Sequence, residues 1–220
     1  MKLLTRYKWV TLMLITFLVS SCEKHETAID YTLKVGNIYI EDGRILPPSV
    51  FDPDLHTAVA VITYVGQESD GFKALAIAPD EWTDCAATMN CELSGVSGEI
   101  DDMSGRSNTA AMLAAMDDTE DLECPAATSV NRYREADGRW HLPACGELLK
   151  LAENRQKVDE SLSIIGGQPL STDLYLSSTV DGTDENSKIY FMRNVSLHEG
   201  RVVSGSKTAP KIVRPFLLIH

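Results

Sequence analysis

The sequence predicts an α+β fold with mixed or antiparallel sheets, two main helices and long loops. Segments rich in Val, Ile and Tyr lie near both ends of the chain, at 35–78 and 174–219, and such segments between turn residues are typical of β-strands. Between them, apolar residues recur at helical spacing. We therefore expect the helices to pack their apolar faces on a sheet.

Residues 1–22 have the layout of a lipoprotein signal peptide. Lys2, Arg6 and Lys8 precede an uncharged run at 9–19, and small residues then lead to Cys22. That run is shorter than the roughly 20 apolar residues that a membrane-spanning helix needs, so it favours a cleaved signal. The segment VSSC at 19–22 resembles a bacterial lipobox, whose cysteine thiol receives diacylglycerol. An ordinary signal peptide with a coincidental cysteine is the alternative.

These features predict a signal peptide at 1–21, a lipid-anchored tether at 22–34 and a single domain at 35–220. The tether is polar and has little periodicity, which is typical of a linker. We expect an exported protein of a Gram-negative bacterium that is anchored by lipid, with the outer membrane as the expected location. Whether it faces the cell surface or the periplasm stays open.

The charge argues against one class of partner. Lys and Arg number 20 against 32 Asp and Glu, a formal net charge of −12 at pH 7. Polyanions and anionic lipid surfaces repel a protein of this charge. We therefore expect no nucleic-acid partner, and contact with a membrane through the lipid anchor only.

Apart from Cys22, the chain carries an even set of cysteines, which favours disulfides in an exported protein: Cys85, Cys91, Cys124 and Cys145. Four cysteines allow three pairings. A bond between Cys85 and Cys91 would close a short polar loop and leave Cys124 to pair with Cys145. A zinc site does not suit the spacing, and free buried thiols are the other alternative.

In the first two thirds of the domain, the residue pattern predicts strands followed by helices. We expect an antiparallel meander of strands at 35–40, 57–65 and 72–78. The Asp-, Ser- and Gly-rich stretch at 81–106 predicts a long irregular loop. Helices are expected at 109–116 with Ser107 or Asn108 as N-cap, at 126–133, and from Pro143 to the glycines at 166–167.

The last third predicts strands at 174–178, 188–195, 201–204 and 211–219, with a hairpin turn at 199–200. Pro215 lies inside the last of these strands. Because proline lacks the amide hydrogen of a strand ladder, that strand is expected at a sheet edge or with a bulge at Arg214 and Pro215.

Three motifs occur in order along the C-terminal half: WHLPACGEL at 140–148, YLSST at 175–179 and VRPF at 213–216. They resemble the W-x-L-P-x-x-x-E-L, Y-W-S-S-T and V-R-P-V signatures of the Lcl C-terminal domain family, named for the binding end of a bacterial collagen-like adhesin. The segments GRSNT at 105–109 and CPAA at 124–127 resemble members found in exported lipoproteins. The resemblance covers 100–220 and implies a C-type-lectin-like fold, with 35–79 as additional N-terminal strands.

The motif residues suit a scaffold better than a binding site. Trp140 and Leu142 can bury a strand end, Pro143 fixes φ for a helix start, and Glu147 suits the positive end of that helix. The hydroxyls at 177–179 suit backbone groups where a strand leaves the sheet. These residues therefore identify the fold and not the ligand.

One position departs from the family. Leu176 stands where the family usually has tryptophan, so an aromatic contact from that position is in doubt. Tyr190 and Phe191 are expected to supply aromatic bulk nearby.

Calcium-dependent lectins of this fold carry Glu-Pro-Asn or Gln-Pro-Asp and a later Trp-Asn-Asp. Here Gln168 and Pro169 precede Leu170, and Trp-Asn-Asp does not occur. We therefore expect no cofactor. A calcium ion is the alternative for one oxygen-rich loop, although solvated turns use the same residues: Asp181, Asp184, Glu185 and Asn186.

Enzyme signatures are absent from the sequence, which contains no phosphate-binding glycine loop, no H-E-x-x-H and no G-x-S-x-G. We expect a non-enzymatic, adhesin-like protein that recognises a glycan or a protein. The alternative is a structural accessory or tip subunit of a surface filament or envelope complex. An enzyme of the formylglycine-generating type, which has a related fold, is a remote alternative because none of its motifs occurs.

In the lectin-like topology, the loops at 180–188 and 196–209 gather on one side of the sheet, so the ligand is expected there. Two aromatic rings could stack on a sugar and six polar side chains could orient it: Tyr175, Tyr190, Asp181, Asp184, Glu185, Asn186, His198 and Arg201. A hydrated rim is the alternative, and the loop at 81–106 is the next candidate.

Overall fold

The computed structural model describes residues 29–88, 92–135, 139–184 and 189–220. Residues 31–220 form one compact unit. Cys22 and the signal peptide lie outside the described residues, so the lipobox stays a prediction. Among the described helices, none is long and apolar enough to cross a membrane.

The α+β class is confirmed, because the described residues form strands at both ends of the chain and helices between them. In chain order, the strands are β1 (Ile38–Ile40), β2 (Ile45–Leu46), β3 (Ala58–Val65), β4 (Ala74–Ile77), β5 (Trp82–Cys85), β6 (Trp140–His141), β7 (Leu174–Asp184), β8 (Ile189–Ser196), β9 (Arg201–Ser206), β10 (Lys211–Val213) and β11 (Phe216–Ile219). The helices are α1 (Gly105–Asp118), α2 (Pro125–Asn131), α3 (Cys145–Glu153) and α4 (Arg155–Ile164).

Two sheets form the frame of the molecule. The first has six strands in the order β2-β1-β3-β4-β11-β6, and the second has five in the order β5-β10-β7-β8-β9. Their pairs are antiparallel except that of β10 with β7. The predicted antiparallel meander is confirmed, since β3 pairs with both β1 and β4. The predicted loop at 81–106 is wrong at its start, where β5 forms an edge of the second sheet.

The helices differ from the prediction at two boundaries. Helix α1 begins at Gly105, because the side chain of Asn108 turns inward and accepts a hydrogen bond from the amide of Ser97 at 3.1 Å. The single helix expected after Pro143 is two helices. Asn154 separates α3 from α4, and its side-chain amide donates to the carbonyls of Lys150 (3.0 Å) and Thr63 (3.2 Å).

The main hydrophobic cluster joins α3 and α4 to one face of each sheet. Leu148 and Leu151 of α3 pack there with Leu75 and Val195, and none of these four side chains is exposed. A second cluster covers the opposite face of the five-stranded sheet, where α1 and α2 pack. Apolar clusters therefore lie on both faces of the five-stranded sheet, whose edge strand β9 stays partly exposed.

Pro215 divides the predicted last strand. Residues before it form β10 in the five-stranded sheet, and residues after it form β11 in the six-stranded sheet. The prediction of one strand at 211–219 is wrong, because the proline ends one ladder and the chain crosses to the other sheet.

The two predicted disulfides are not formed in the structure. Cys85 and Cys145 are free thiols, and Cys91 lies outside the described residues. Cys145 packs in the main cluster under α3, whereas Cys124 packs in the second cluster, on the other side of the five-stranded sheet. The sheet between these clusters explains why the Cys124–Cys145 pairing is wrong.

Candidate functional site

The sequence motifs meet in a buried polar cluster. Asp102 accepts hydrogen bonds from the amide of Asn108 at 2.6 Å and the hydroxyl of Thr179 at 3.3 Å. The Asn108 amide also donates to the hydroxyl of Ser178 at 3.2 Å, and the Thr179 hydroxyl accepts from the backbone of Cys145 at 2.9 Å. These contacts tie α1, α3 and β7 together, as expected of a scaffold. Asp102 lies in the stretch that was predicted as an irregular loop, and no local pattern marked it as a buried residue.

Glu147 forms the second half of this cluster at the start of α3. Its carboxylate accepts from the backbone of Ala144 at 2.9 Å and lies 3.1 Å from the Nε2 atom of His141, and both ionisable side chains are buried. A Cβ atom at Gly105 would lie 2.3 Å from the Glu147 carboxylate, so only glycine fits there. The predicted position of Glu147 at the positive helix end is confirmed.

Tyr175 cannot act as a stacking platform for a sugar. Its side chain is fully buried, its hydroxyl donates to Glu81 at 2.6 Å and accepts from the backbone of Ser171 at 2.7 Å. Burial and the Glu81 carboxylate hold the pKa of Tyr175 far above its ordinary value. The prediction of Tyr175 as a ligand contact is wrong because its hydroxyl belongs to an internal network.

The predicted ligand loops do not gather on one side. In the β7–β8 pair, Leu174 lies opposite Ser196, whereas Asp184 lies opposite Ile189. The loop after β7 and the turn after β8 therefore lie at opposite ends of the hairpin. This arrangement separates the residues at 181–190 from His198 and Arg201.

Two of the predicted ligand residues, Asp181 and Tyr190, lie at the end of the hairpin where β7 ends and β8 begins. Asp181 forms an ion pair with Arg193, with 2.9 Å between Oδ1 and Nη1. The Nζ atom of Lys207 lies 5.3 Å from the centre of the Tyr190 ring. Glu185, Asn186 and the side chain of Asp184 lie outside the described residues, so this calcium loop stays untested. Within the described ranges, no three His, Cys, Asp or Glu side chains converge as a metal site.

The opposite end of the hairpin lies beside an open groove of about 690 Å³. The end of α3, the first turns of α4 and the turn between β8 and β9 form its walls. Its lining is Ala152, Glu153, Arg155, Gln156, Asp159, Glu160, Leu197 and His198. Of the predicted ligand residues, His198 lies in this groove. Arg201 lies beyond the turn and pairs with Glu199.

Arg155 and His198 form the central contact of the groove. Nη1 of Arg155 lies 2.9 Å from Nδ1 of His198. Because a guanidinium only donates, Nδ1 accepts and the ring proton resides on Nε2. Asp159 orients the arginine from the other side, with 3.8 Å between Oδ2 and Nε, and accepts from the backbone of Leu170 at 2.8 Å. This contact ties α4 to the hairpin turn.

Carboxylates dominate the rim of the groove. Glu153 accepts from Lys150 at 3.0 Å, and Glu160 accepts from the side chain of Gln156 at 3.2 Å. The lining contains three carboxylates against one guanidinium, so it favours a cationic or hydroxyl-rich group. The Arg155–Asp159 spacing of four residues was a local signal of the pair.

Among the described strands, none pairs with the outer side of β9. Lys207 donates from its backbone to the carbonyl of Tyr190 at 3.1 Å, and β8 and β9 continue in the same register. Because hydrogen-bonded pairs alternate along an antiparallel ladder, the backbone groups of Val202 and Ser204 point away from β8. This strand ends the five-stranded sheet.

Comparisons with known proteins support the fold. No family model matches the sequence, and no curated protein does. A solved structure of a fimbrial protein from Bacteroides ovatus ATCC 8483 is similar to 85% of this chain, with a TM-score of 0.63 and 17% identity. The match covers 49% of that protein, so the chain spans about half the length of its neighbour. At this identity, the similarity shows a shared fold.

Proposed function

We propose that this protein is an accessory or tip subunit of a bacterial surface filament. The observation that carries the proposal is the fold shared with about half of a fimbrial protein. The acidic composition supports it, because it suits an exposed subunit that does not bind nucleic acid. The subunit acts by assembly and not by catalysis.

The proposal includes an exported, lipid-anchored location, which rests on the VSSC segment at 19–22. It also includes membership of the Lcl C-terminal domain family and its C-type-lectin-like fold. Support for this membership comes from the buried motif residues, since GRSNT, WHLPACGEL and YLSST all contribute to one polar cluster.

The test is the fractionation of filaments. Cells that carry an epitope-tagged copy of the gene in place of the original are sheared, and the filaments are purified on a density gradient. We expect the tagged protein in the filament fraction, and gold labelling then distinguishes a tip from a lateral position. A strain without filament shaft subunits serves as the control. A membrane-bound pool is expected from the lipid anchor, so the result that would refute the proposal is absence of the protein from filaments that the same cells make.

Adhesin-like binding of a glycan or protein is the second candidate. The observation that favours it is the groove around Arg155 and His198. His198 is the predicted ligand residue that lies in this groove. A glycan array with purified protein and with the Asp159→Ala variant tests it. Binding that Asp159→Ala abolishes, while Glu120→Ala does not change it, supports the groove. Equal binding by the two variants would show that the groove is not the binding site.

A further inference from the structure

A second cavity, of about 390 Å³, shares no lining residue with the groove around Arg155 and His198. Its walls come from β5, from β10 and from the start of β7. The lining is Thr83, Asp173, Leu174, Pro210, Lys211 and Ile212. Pockets for small molecules have volumes of about 300–1,000 Å³. The cavity therefore has room for a ligand of the size of an amino acid or a dipeptide.

Two opposite charges line this cavity without forming a pair. Among the described residues, none donates a hydrogen bond to the carboxylate of Asp173 or forms an ion pair with it. The Nζ atom of Lys211 donates to the carbonyl of Pro210 at 3.1 Å and has no ion-pair partner in the described ranges. Apolar side chains complete the lining. A carboxylate and an ammonium that both lack a counter-charge are complementary to a ligand with one charge of each sign.

A β-bulge brings a hydroxyl group to the same cavity. Lys211 and Val213 of β10 pair with Cys85 and Trp82 of β5, and the register shifts between the two pairs. Strand β5 therefore has one more residue than β10 in this interval. Bulges redirect side chains and are frequent next to active sites. Thr83 lies in the bulge and lines the cavity, so its hydroxyl can donate to an anionic group that Lys211 binds.

A network in the protein interior holds the walls of the cavity in place. The amide of Asp173 donates to the Ser171 hydroxyl at 3.1 Å, and the amide of Ser171 donates to the Tyr175 hydroxyl at 2.7 Å. That hydroxyl donates to Glu81, which also pairs with Arg214. Glu81 precedes β5, Tyr175 lies in β7 and Arg214 follows β10. One network therefore connects the three strands, which lowers the cost of ordering the site when a ligand binds.

We propose that this cavity binds a zwitterion with an apolar side chain, namely a free amino acid or a dipeptide. Asp173 accepts hydrogen bonds from the ammonium group of the ligand. Lys211 and Thr83 donate to its carboxylate, and Leu174 and Ile212 contact its side chain. The inference goes beyond the proposed assembly function and is tested on purified protein without filaments. Its failure would therefore leave the filament proposal standing.

Matched probes test the class of ligand by isothermal titration calorimetry with the purified full-length protein. We expect saturable binding of L-leucine. Leucinamide lacks the carboxylate and N-acetylleucine lacks the ammonium, so each should bind about tenfold more weakly. Equal affinity for leucine and either analogue would overturn the assignment of a zwitterion. Absence of binding by leucine, methionine, phenylalanine and glycyl-leucine would overturn the site itself.

Two variants test the role of each charge. Asp173→Asn should weaken the binding of leucine about tenfold and leave the affinity for N-acetylleucine unchanged. Lys211→Met should also weaken the binding of leucine, but leave the affinity for leucinamide unchanged. Asp117→Asn and Lys157→Met are the matched controls, because they remove the same charges from exposed positions on α1 and α4. Thermal melting establishes that all four variants are folded.

An equal loss of affinity in a control variant would assign the effect to net charge and overturn the inference, as would wild-type affinity in folded Asp173→Asn and Lys211→Met. Backbone amide chemical shifts locate the bound leucine independently of the variants. We expect the largest changes at Thr83, Leu174 and Ile212. Changes confined to the groove around Arg155 and His198 would assign the ligand to that groove and overturn this site.

Discussion

Arg214 and Glu81 form a buried ion pair, with 2.7 Å between Nη2 and Oε2. The same guanidinium donates to the carbonyl of Ala78 at 3.1 Å and to that of Gln168 at 2.9 Å. Arg214 is fully buried, and Glu81 also accepts from Tyr175. The arginine of the VRPF motif therefore connects three chain segments through one planar group.

Arg214→Ala should destabilise the protein by about 3–5 kcal/mol, because removal of one partner leaves the Glu81 carboxylate without its compensating charge. Arg214→Lys should restore little, since an ammonium cannot reproduce the planar fork of donors. Arg201→Ala is the control, as its ion pair with Glu199 is exposed. Urea unfolding measures all three variants. A loss below about 1 kcal/mol for Arg214→Ala would contradict the network's role.

Gly105→Ala should destabilise the protein by about 1–3 kcal/mol, because the new methyl overpacks a site with no free volume. Its Cβ atom would lie 2.3 Å from the carboxylate of Glu147 and 2.7 Å from the backbone of Ala144. Gly98→Ala is the matched control, since the closest neighbour there is at 3.6 Å. Thermal melting compares the two variants. A melting temperature for Gly105→Ala equal to that of Gly98→Ala would show that the side chains of the polar cluster move to accommodate the new methyl group.

Stability should fall as the pH rises above 10, because of Tyr133. Burial and the hydrogen bond to Asp80, at 2.6 Å, raise the pKa of Tyr133 from 10.0 to about 12. In the unfolded chain the phenol ionises first, so the stabilisation is complete below the unfolded pKa and is lost as the pH approaches the folded one. Urea unfolding as a function of pH checks this. The Tyr133→Phe variant should show a weaker decline, and an identical decline would assign the effect to other groups.

Cys145 should resist alkylation in the native protein. Burial raises the pKa of its thiol to about 11, so the reactive thiolate is scarce near pH 8. Iodoacetamide followed by peptide mapping should label this residue only after unfolding. Burial also raises the pKa of the half-exposed Cys85. Recovery of a peptide in which Cys145 is bonded to Cys124 would contradict the structure and support the disulfide predicted from the sequence.

Cys22→Ser should abolish lipidation, because the thiol is the atom that accepts diacylglycerol. The wild-type protein is expected in the detergent phase and the variant in the aqueous phase after phase partitioning. Cys85→Ser, which leaves the segment at 19–22 intact, serves as the control. Acyl mass on the Cys22→Ser variant would place the anchor elsewhere in the chain.

Local patterns predicted the regular elements well. Strands β3 and β4 were predicted because β-branched and small apolar residues there lie between clear turn residues. The break at Asn154 was missed because its cause is a hydrogen bond to Thr63, far away in the sequence. Only the tertiary fold supplies that partner.

The candidate site was less accessible to sequence reasoning. The central pair of the groove, Arg155 and His198, is 43 residues apart in the chain, and nothing local links the two. The assumed lectin-like topology brought two loops together that the antiparallel pairing of β7 and β8 places at opposite ends. Tyr175 failed for another reason, since an aromatic residue with a polar tip looks the same in a sequence whether it is buried or exposed.

The division of the chain at Pro215 means that one short segment contributes a strand to each of the two sheets. In the described sheets, β5 has β10 as its one neighbour and β6 has β11. Both sheets therefore depend on the same nine residues, Lys211 to Ile219, for the attachment of an edge strand. Loss of this one segment would therefore detach an edge strand from each of the two sheets at once.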